Sequence, residues 1–148
     1  MKLNKEGKEL IKRFEGLKLQ SYQCSAKRWT IGYGNTFYED GTAVKKGDII
    51  TKERAEKLFD IIVAEFCIKV DRNIKTILTE NQYSAIVSFT YNVGIGNLNK
   101  STLLRKVNFN PNDPTIRQEF IKWNKAGGKV LAGLTTRRSA EALLYFKA

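Results

Sequence analysis

Apolar positions recur every three or four residues along most of this chain and alternate with polar ones in only one stretch. Leu3, Gly7, Leu10, Ile11 and Phe14 follow helical spacing, with Asn4 as a natural N-cap and Gly16 as a natural stop. The spacing predicts a first helix over residues 4–14 and leaves Glu15 at its last turn. Leu17 to Cys24 and Trp29 to Tyr33 read as two strands joined by the polar segment Ser25-Ala26-Lys27-Arg28. In the second strand Trp29, Ile31 and Tyr33 share one face, and Thr30 and Gly32 the other. Packing the aromatic face is expected to leave Thr30 and the glycines free to line a cleft, where Gly32 and Gly34 permit close approach of a ligand. Gly41 to Ile50 is expected to add a third, short strand.

The rest of the pattern is helical. Ala55, Leu58, Phe59, Ile62, Phe66, Val70 and Ile74 predict a long helix over 52–77, with Thr51 as its cap. Thr79 and Gln82 have capping-box spacing and open a strongly apolar helix from Asn81 to about Asn92, ended by Gly94 and Gly96. Ser101 caps a short helix through Val107, Asp113-Pro114 opens another to about Trp123, Ala126-Gly127-Gly128 is a turn, and Thr136 to Lys147 closes the chain as a helix. The expected fold class is α+β and mostly helical, with a small antiparallel sheet in an N-terminal lobe. The whole of 1–148 reads as one two-lobed domain. One lobe with the sheet covers about 14–51, a linking helix about 52–77, and a helical lobe about 78–148 plus the N-terminal helix 4–14.

Composition narrows the chemistry. The 26 Lys and Arg against 15 Asp and Glu give a net charge of +11, which suits nucleic acid, an anionic membrane or an anionic polymer such as a bacterial wall. The basic residues are scattered, without the long run that marks a tail. The absence of histidine excludes Ser-His-Asp and Cys-His catalysis in their usual forms, and His-based zinc sites. Cys24 and Cys67 are too few for a disulfide framework and are expected to be thiols in a reducing compartment. No apolar run is long enough for a membrane span, and Met1-Lys2-Leu3-Asn4-Lys5-Glu6 has no apolar signal core. The protein as made is expected to stay in the cytoplasm, so a substrate beyond the membrane requires something else to release it.

The candidate chemistry lies in Glu15, Cys24 and Thr30: an acid, a nucleophilic or water-orienting group, and a hydroxyl, carried on a helix end and a hairpin. At the negative end of a helix a carboxylate is disfavoured, which pushes its pKa toward the range a general acid needs.

These residues sit within a longer series of motifs. Gly7-x-x-Leu10-Ile11-x-x-Phe14-Glu15-Gly16 is followed by Trp29-Thr30-Ile31-Gly32-Tyr33-Gly34-Asn35-Thr36. Further on come Gln82-x-x-Ala85-Ile86-Val87-Ser88-Phe89 with Tyr91-Asn92-Val93-Gly94, then Ser101-Thr102-Leu103-Leu104. Trp123-Asn124-Lys125-Ala126-Gly127-Gly128-Lys129-Val130-Leu131 leads to Gly133-Leu134 and Arg137-Arg138-x-Ala140-Glu141. In this order, over nearly the whole chain, they resemble the phage-type lysozymes, the endolysins of glycoside hydrolase family 24. The resemblance implies a lysozyme-like two-lobed fold with substrate between the lobes. It also implies hydrolysis of the β-1,4 bond between N-acetylmuramic acid and N-acetylglucosamine in peptidoglycan, with no cofactor and no metal. Glu15 matches the general acid, Cys24 a position that is usually Asp, and Thr30 the hydroxyl that helps place water. Tyr91 and Ser101 match sugar-contacting positions, Gly34 in the glycine-rich strand end and Asn92 in the cleft-edge motif are also expected to bind substrate, and Arg137 matches an arginine facing the catalytic Glu. The expected partners are bacterial peptidoglycan and, functionally, a membrane-permeabilising holin. Nucleic acid, stable membrane insertion and oligomerisation are not expected.

Two departures from the family stand out. Cys24 replaces the usual carboxylate, and can act as a thiolate if Lys27 or Arg28 lies close, as a nucleophile, or by orienting water. Asn35 stands where many relatives have His, which removes any histidine step from the pH dependence of stability. Three other readings stay open: a lytic transglycosylase on the same bond, a catalytically inactive wall-binding or nucleic-acid-binding module, and a cysteine amidase, which the lack of His disfavours. Cys67 is expected to pack in the core. The aromatics Tyr22, Trp29, Tyr33, Tyr91 and Trp123 are expected to be mostly core, with Tyr91 the best placed to stack on a sugar.

Overall fold

The computed structural model describes residues 1–148. In chain order it contains α1 (Lys5–Glu15), β1 (Lys18–Gln23), β2 (Trp29–Gly32), α2 (Lys52–Asp71), α3 (Glu80–Val93), α4 (Ile95–Lys100), α5 (Thr102–Phe109) and α6 (Ile116–Ile121), then β3 (Lys125–Ala126), β4 (Lys129–Val130) and α7 (Ala132–Tyr145). The mostly helical α+β class with a small antiparallel sheet is as the periodicity predicts. The chain divides into two compact units, Met1–Ile11 with Phe66–Ala148 and Lys12–Glu65, and the divisions fall inside α1 and α2.

The larger unit is built around α3. Residues Gln82 to Thr90 are buried on every face of that helix, as expected of a helix without a polar stripe. Its start is held by the capping box: Gln82 N donates to Thr79 Oγ1 at 3.1 Å and Thr79 N to Gln82 Oε1 at 3.0 Å. The apolar stripe of α7 packs on α3 and α6. Phe89 meets Phe120 and Trp123 edge to face, with ring centroids 5.8 and 5.6 Å away, so three large side chains leave water at roughly 1.5–3 kcal/mol each. The first half of α1 also belongs here. Asn4 Oδ1 accepts from Gly7 N at 2.9 Å, and Asn4 N donates to Ser84 Oγ at 3.0 Å. A methyl group at Gly7 would lie 2.6 Å from Ser84 Cβ, so glycine allows α1 to lie directly on α3.

In the smaller unit β1 and β2 form a hairpin with Tyr22 opposite Thr30 and Gln23 opposite Trp29, and a bulge between Lys18 and Tyr22. Its core gathers Ile31, Tyr33, Ile50, Ala55, Leu58 and Phe59. Tyr33 packs edge-on against Phe59 at 5.4 Å and its hydroxyl donates to Glu56 Oε1 at 2.8 Å, while Lys12 pairs with Glu56 Oε2 at 2.5 Å.

Several expectations need correction. Gly41 to Ile50 is no strand. It contributes only the bridges Gln20–Ile49 and Phe37–Ala43: Asp48 O and Ile50 N pair with β1, Thr42 O and Val44 N with residues 36–38, and the backbone between them turns at Lys45 and Asp48. The long helix stops at Asp71, short of Ile77, because Asn73 closes it: Asn73 Nδ2 donates to Lys69 O at 2.8 Å, and Asn108 takes up the released backbone at Asn73 O and Lys75 N. Gly94, at φ +91°, ends α3, but Gly96 lies inside α4 and takes no part in that stop. The Gly127-Gly128 turn, with both residues at positive φ, closes a short hairpin of β3 and β4. The last helix begins at Ala132, four residues before Thr136, since a glycine at its second position does not prevent a helix from starting. Thr30 is buried at 4% exposure, and does not stand open beside a cleft.

Candidate active site

Glu15 is the last residue of α1, half-buried, where Gly16 N donates to Lys12 O at 2.9 Å and Gly16 turns the chain into β1 at φ +74°. Only a residue tolerant of that conformation ends the helix there, and this fixes the point at which the Glu15 carboxylate leaves the backbone.

Cys24 follows β1 at the base of a three-residue loop. Cys24 N donates to Arg28 O at 2.9 Å and Lys27 N to Cys24 O at 2.8 Å. Lys27 sits at φ +61°, the left-handed residue that such loops require after their turn. The path directs the backbone N–H groups of Arg28 and Ala26 toward the thiol, and the Thr30 hydroxyl also hydrogen-bonds it. These contacts, Arg28 first and Ala26 next, hold the Cys24 pKa below that of a free thiol. A thiolate here is therefore stabilised by main-chain donors, and the side-chain charges of Lys27 and Arg28 that the sequence suggested do not figure among the causes. Thr30 Oγ1 also lies 3.0 Å from Arg28 O, so its one proton serves either that carbonyl or the thiolate, and both keep the hydroxyl at the loop's far end.

Tyr22 joins this group. Burial raises its phenol pKa, and the charges of Glu15 and then Cys24 raise it further. The aromatic pattern assigned it mostly to the core, yet it lies two residues before Cys24 on the same strand face, a period-2 signal that would have found it. The smaller unit thus brings Glu15, Tyr22, Cys24 and Thr30 into one neighbourhood. Gly34, in the same unit, lies at φ +94° in the turn where Ile31 and Asn35 exchange backbone hydrogen bonds. That turn requires glycine there whether or not a ligand approaches. Asn35 is buried, with Nδ2 donating to Leu58 O at 3.3 Å.

The remaining sequence candidates belong to the larger unit. Tyr91 is half-buried against Phe66, with ring centroids 5.1 Å apart. Asn92 is exposed, and its Oδ1 accepts from Arg138 Nη2 at 2.8 Å. Ser101 is buried and caps α5: its hydroxyl accepts from Leu104 N at 3.0 Å and donates to Leu98 O at 2.7 Å. Arg137 is buried, with Nε 3.2 Å from Glu141 Oε2 and Nη2 donating to Ser88 O at 3.1 Å. Glu141 and Ser88 carry this network and were not singled out as site residues, although Glu141 stands three and four positions after the two arginines, the spacing of helical ion pairs. Cys67 is half-buried in the larger unit, where burial raises its thiol pKa.

Known proteins align with this chain over nearly its full length. The family described as Phage lysozyme matches residues 12–141. The endolysin of Bacillus phage B103 is 44% identical over 98% of this chain, which spans 54% of that protein. The endolysin of Acyrthosiphon pisum secondary endosymbiont phage 1 is 42% identical over 98% of both. Among solved structures, an endolysin from Escherichia coli O157:H7 phage FAHEc1 superposes with a TM-score of 0.89 at 38% identity, covering 99% of this chain and 94% of that one.

Proposed function

Because the chain belongs to the phage lysozyme family, we propose that it is a peptidoglycan-degrading glycoside hydrolase, a muramidase of the endolysin kind. In this reading the substrate is the β-1,4 bond between N-acetylmuramic acid and N-acetylglucosamine. Glu15 is the general acid: its proton passes to the glycosidic oxygen as the bond from the anomeric carbon to that oxygen breaks. Water adds to the anomeric carbon from the opposite face. The Cys24 thiolate takes the proton that water loses, with Thr30 fixing the thiolate's position, and solvent exchange then resets both groups. Inversion at the anomeric carbon follows from a single displacement. Gly34, Tyr91, Asn92 and Ser101 are assigned to the glycan on the family resemblance, and Arg137 to supporting Glu15. The observation that carries the reading is the lowered pKa of Cys24, held by main-chain N–H donors in the neighbourhood of Glu15 and Tyr22. It favours the thiolate form at a position where the usual carboxylate is missing.

For the biological setting we propose host-cell lysis by a monomer, with release to the wall by a membrane-breaching holin. No helix is long and apolar enough to cross a membrane, which is consistent with that dependence.

The test is mass spectrometry of soluble products from purified Gram-negative peptidoglycan, for the protein and for Glu15→Gln. Products with reducing N-acetylmuramic ends, reduced about 10²–10⁴-fold in the variant, are the expected result. Anhydro ends would replace hydrolysis with transglycosylation. No product from the folded protein would end the enzyme reading.

A further inference from the structure

The larger unit buries a trio of charges on α7. Glu141 Oε2 lies 3.2 Å from Arg137 Nε, and Oε1 lies 2.8 Å from Arg138 Nε. Arg137 is 4% exposed, Arg138 and Glu141 0%. Ser88 Oγ on α3 adds a hydrogen bond to Glu141 Oε2 at 2.6 Å. Replacing such a trio by well-packed apolar groups is often neutral or stabilising, so the trio supplies little cohesion that packing would not. What it does supply is a fully buried guanidinium held beside Glu141 by charge. Arg138 lies over the Phe89 ring, 5.1 Å from its centroid, and its Nη2 donates to Asn92 Oδ1 at 2.8 Å.

A guanidinium has donors and no acceptors. It therefore decides which way the Asn92 amide faces: the carbonyl oxygen turns inward to Arg138, and the NH₂ group turns toward solvent at the exposed end of α3. We propose that Glu141 and Arg138 are positioning residues that fix Asn92 in this orientation, making Asn92 a specificity-determining donor for a pure acceptor oxygen on the glycan. That oxygen belongs to the carbonyl of an acetamido group or to the carboxylate of a lactyl group. The inference rests on the glycan-cleaving reading above, and adds to it the polarity of one contact and the residues that impose it.

The discriminating pair is Asn92→Asp and Asn92→Ala, both at an exposed position. Aspartate keeps an oxygen for Arg138 but presents a second oxygen where the donor stood. Binding is read on full-length protein carrying Glu15→Gln by isothermal titration, with chitotetraose as the probe bearing only acetamido groups and a peptide-free muramyl glycan as the probe bearing lactyl carboxylates as well. On the Glu15 background the readout is the KM and kcat of muropeptide release. Asn92→Asp is expected to weaken binding and raise KM about tenfold or more, and Asn92→Ala only about threefold, with kcat within about twofold in both. Glu141→Gln, checked for folding by circular dichroism, is expected to cost binding on the Asn92 background and nothing further on the Asn92→Ala background. An effect on both probes assigns the acetamido oxygen, and an effect on the muramyl glycan alone the lactyl carboxylate. Asn92→Asp binding as well as Asn92→Ala, or additive losses with Glu141→Gln, would overturn the proposal. If the protein cuts peptidoglycan while the two Asn92 variants bind alike, the inference alone fails. If the ranking holds in binding but nothing is cut, the hydrolase reading alone fails.

Discussion

The two compact units handle charge in opposite ways. In the smaller unit, three acidic groups stand at the surface and are answered by nearby backbone and hydroxyls, beside the ion pairs of Glu56 and Glu39: Cys24 by the N–H groups of Arg28 and Ala26, Asp40 by Thr42, Asp48 by Tyr38 and the Lys45 N–H. The partners of those three are local in sequence. In the larger unit, Glu141 is fully buried and is answered by side chains from two helices, Ser88 on α3 and the arginines on α7. Burial is the largest influence on that carboxyl and raises its pKa, and the charges of Arg138 and then Arg137 oppose it. The contrast separates two uses of polar groups. One sets reactivity and leaves folding nearly untouched, whereas the other is inseparable from packing.

The strongest attempt to break this contrast is Glu141→Ala. It leaves two guanidiniums buried without their carboxylate and is expected to cost about 3–5 kcal/mol of unfolding free energy in urea. A loss below about 1 kcal/mol would show that the larger unit tolerates charge as readily as the smaller. Gly7→Ala comes next, at about 1–3 kcal/mol, because the added methyl meets Ser84 across the contact between α1 and α3. Cys24→Ala is expected to lower muropeptide release about 10²-fold with only a small change in the urea midpoint, and Cys24→Asp to stay within about tenfold of the parent, since a carboxylate accepts the same N–H groups.

Two smaller effects sharpen the comparison. Peptide-resolved iodoacetamide labelling is expected to give Cys24 a midpoint below the roughly 8.5 of a free thiol and Cys67 one above it. A shared midpoint would remove the distinction between the two sites. Finally, with no histidine in the chain, no histidine step is expected across pH 6–7, and a slope set by Cys24 is expected where its thiol titrates. Its folded pKa lies below its unfolded one, so its contribution is present above the unfolded value and is lost as pH falls through the folded value. The slope is expected to vanish in Cys24→Ala.

Much of the fold was legible because helices announce themselves locally. The caps at Asn4, Thr51, Thr79 and Ser101 all serve as the spacing indicates. What the sequence concealed depended on partners far along the chain. Nothing near Ile74 reveals that Asn108 will receive the end of α2. Alternation alone placed Thr30 on an open face, although it is buried. The candidate site was legible in Glu15, Cys24 and Thr30 as residue types. The lowered pKa of Cys24 was not, because it comes from backbone directions that no side-chain pattern encodes. Arg138 likewise reads as one more basic residue until its contact with Asn92 is seen.

The loop after Cys24 has a consequence for how this protein can vary. Because the donors facing position 24 are peptide N–H groups, they survive any exchange of Ser25, Ala26 or Arg28, other than to proline, that keeps the chain's path. The vulnerable point is Lys27, whose left-handed backbone makes that path. Glycine there would relax a strained residue and keep the cradle, while a β-branched residue would resist the turn and scatter the donors. Selection for a reactive thiol in this protein would therefore register as a conformational demand on a side chain that takes no part in the chemistry.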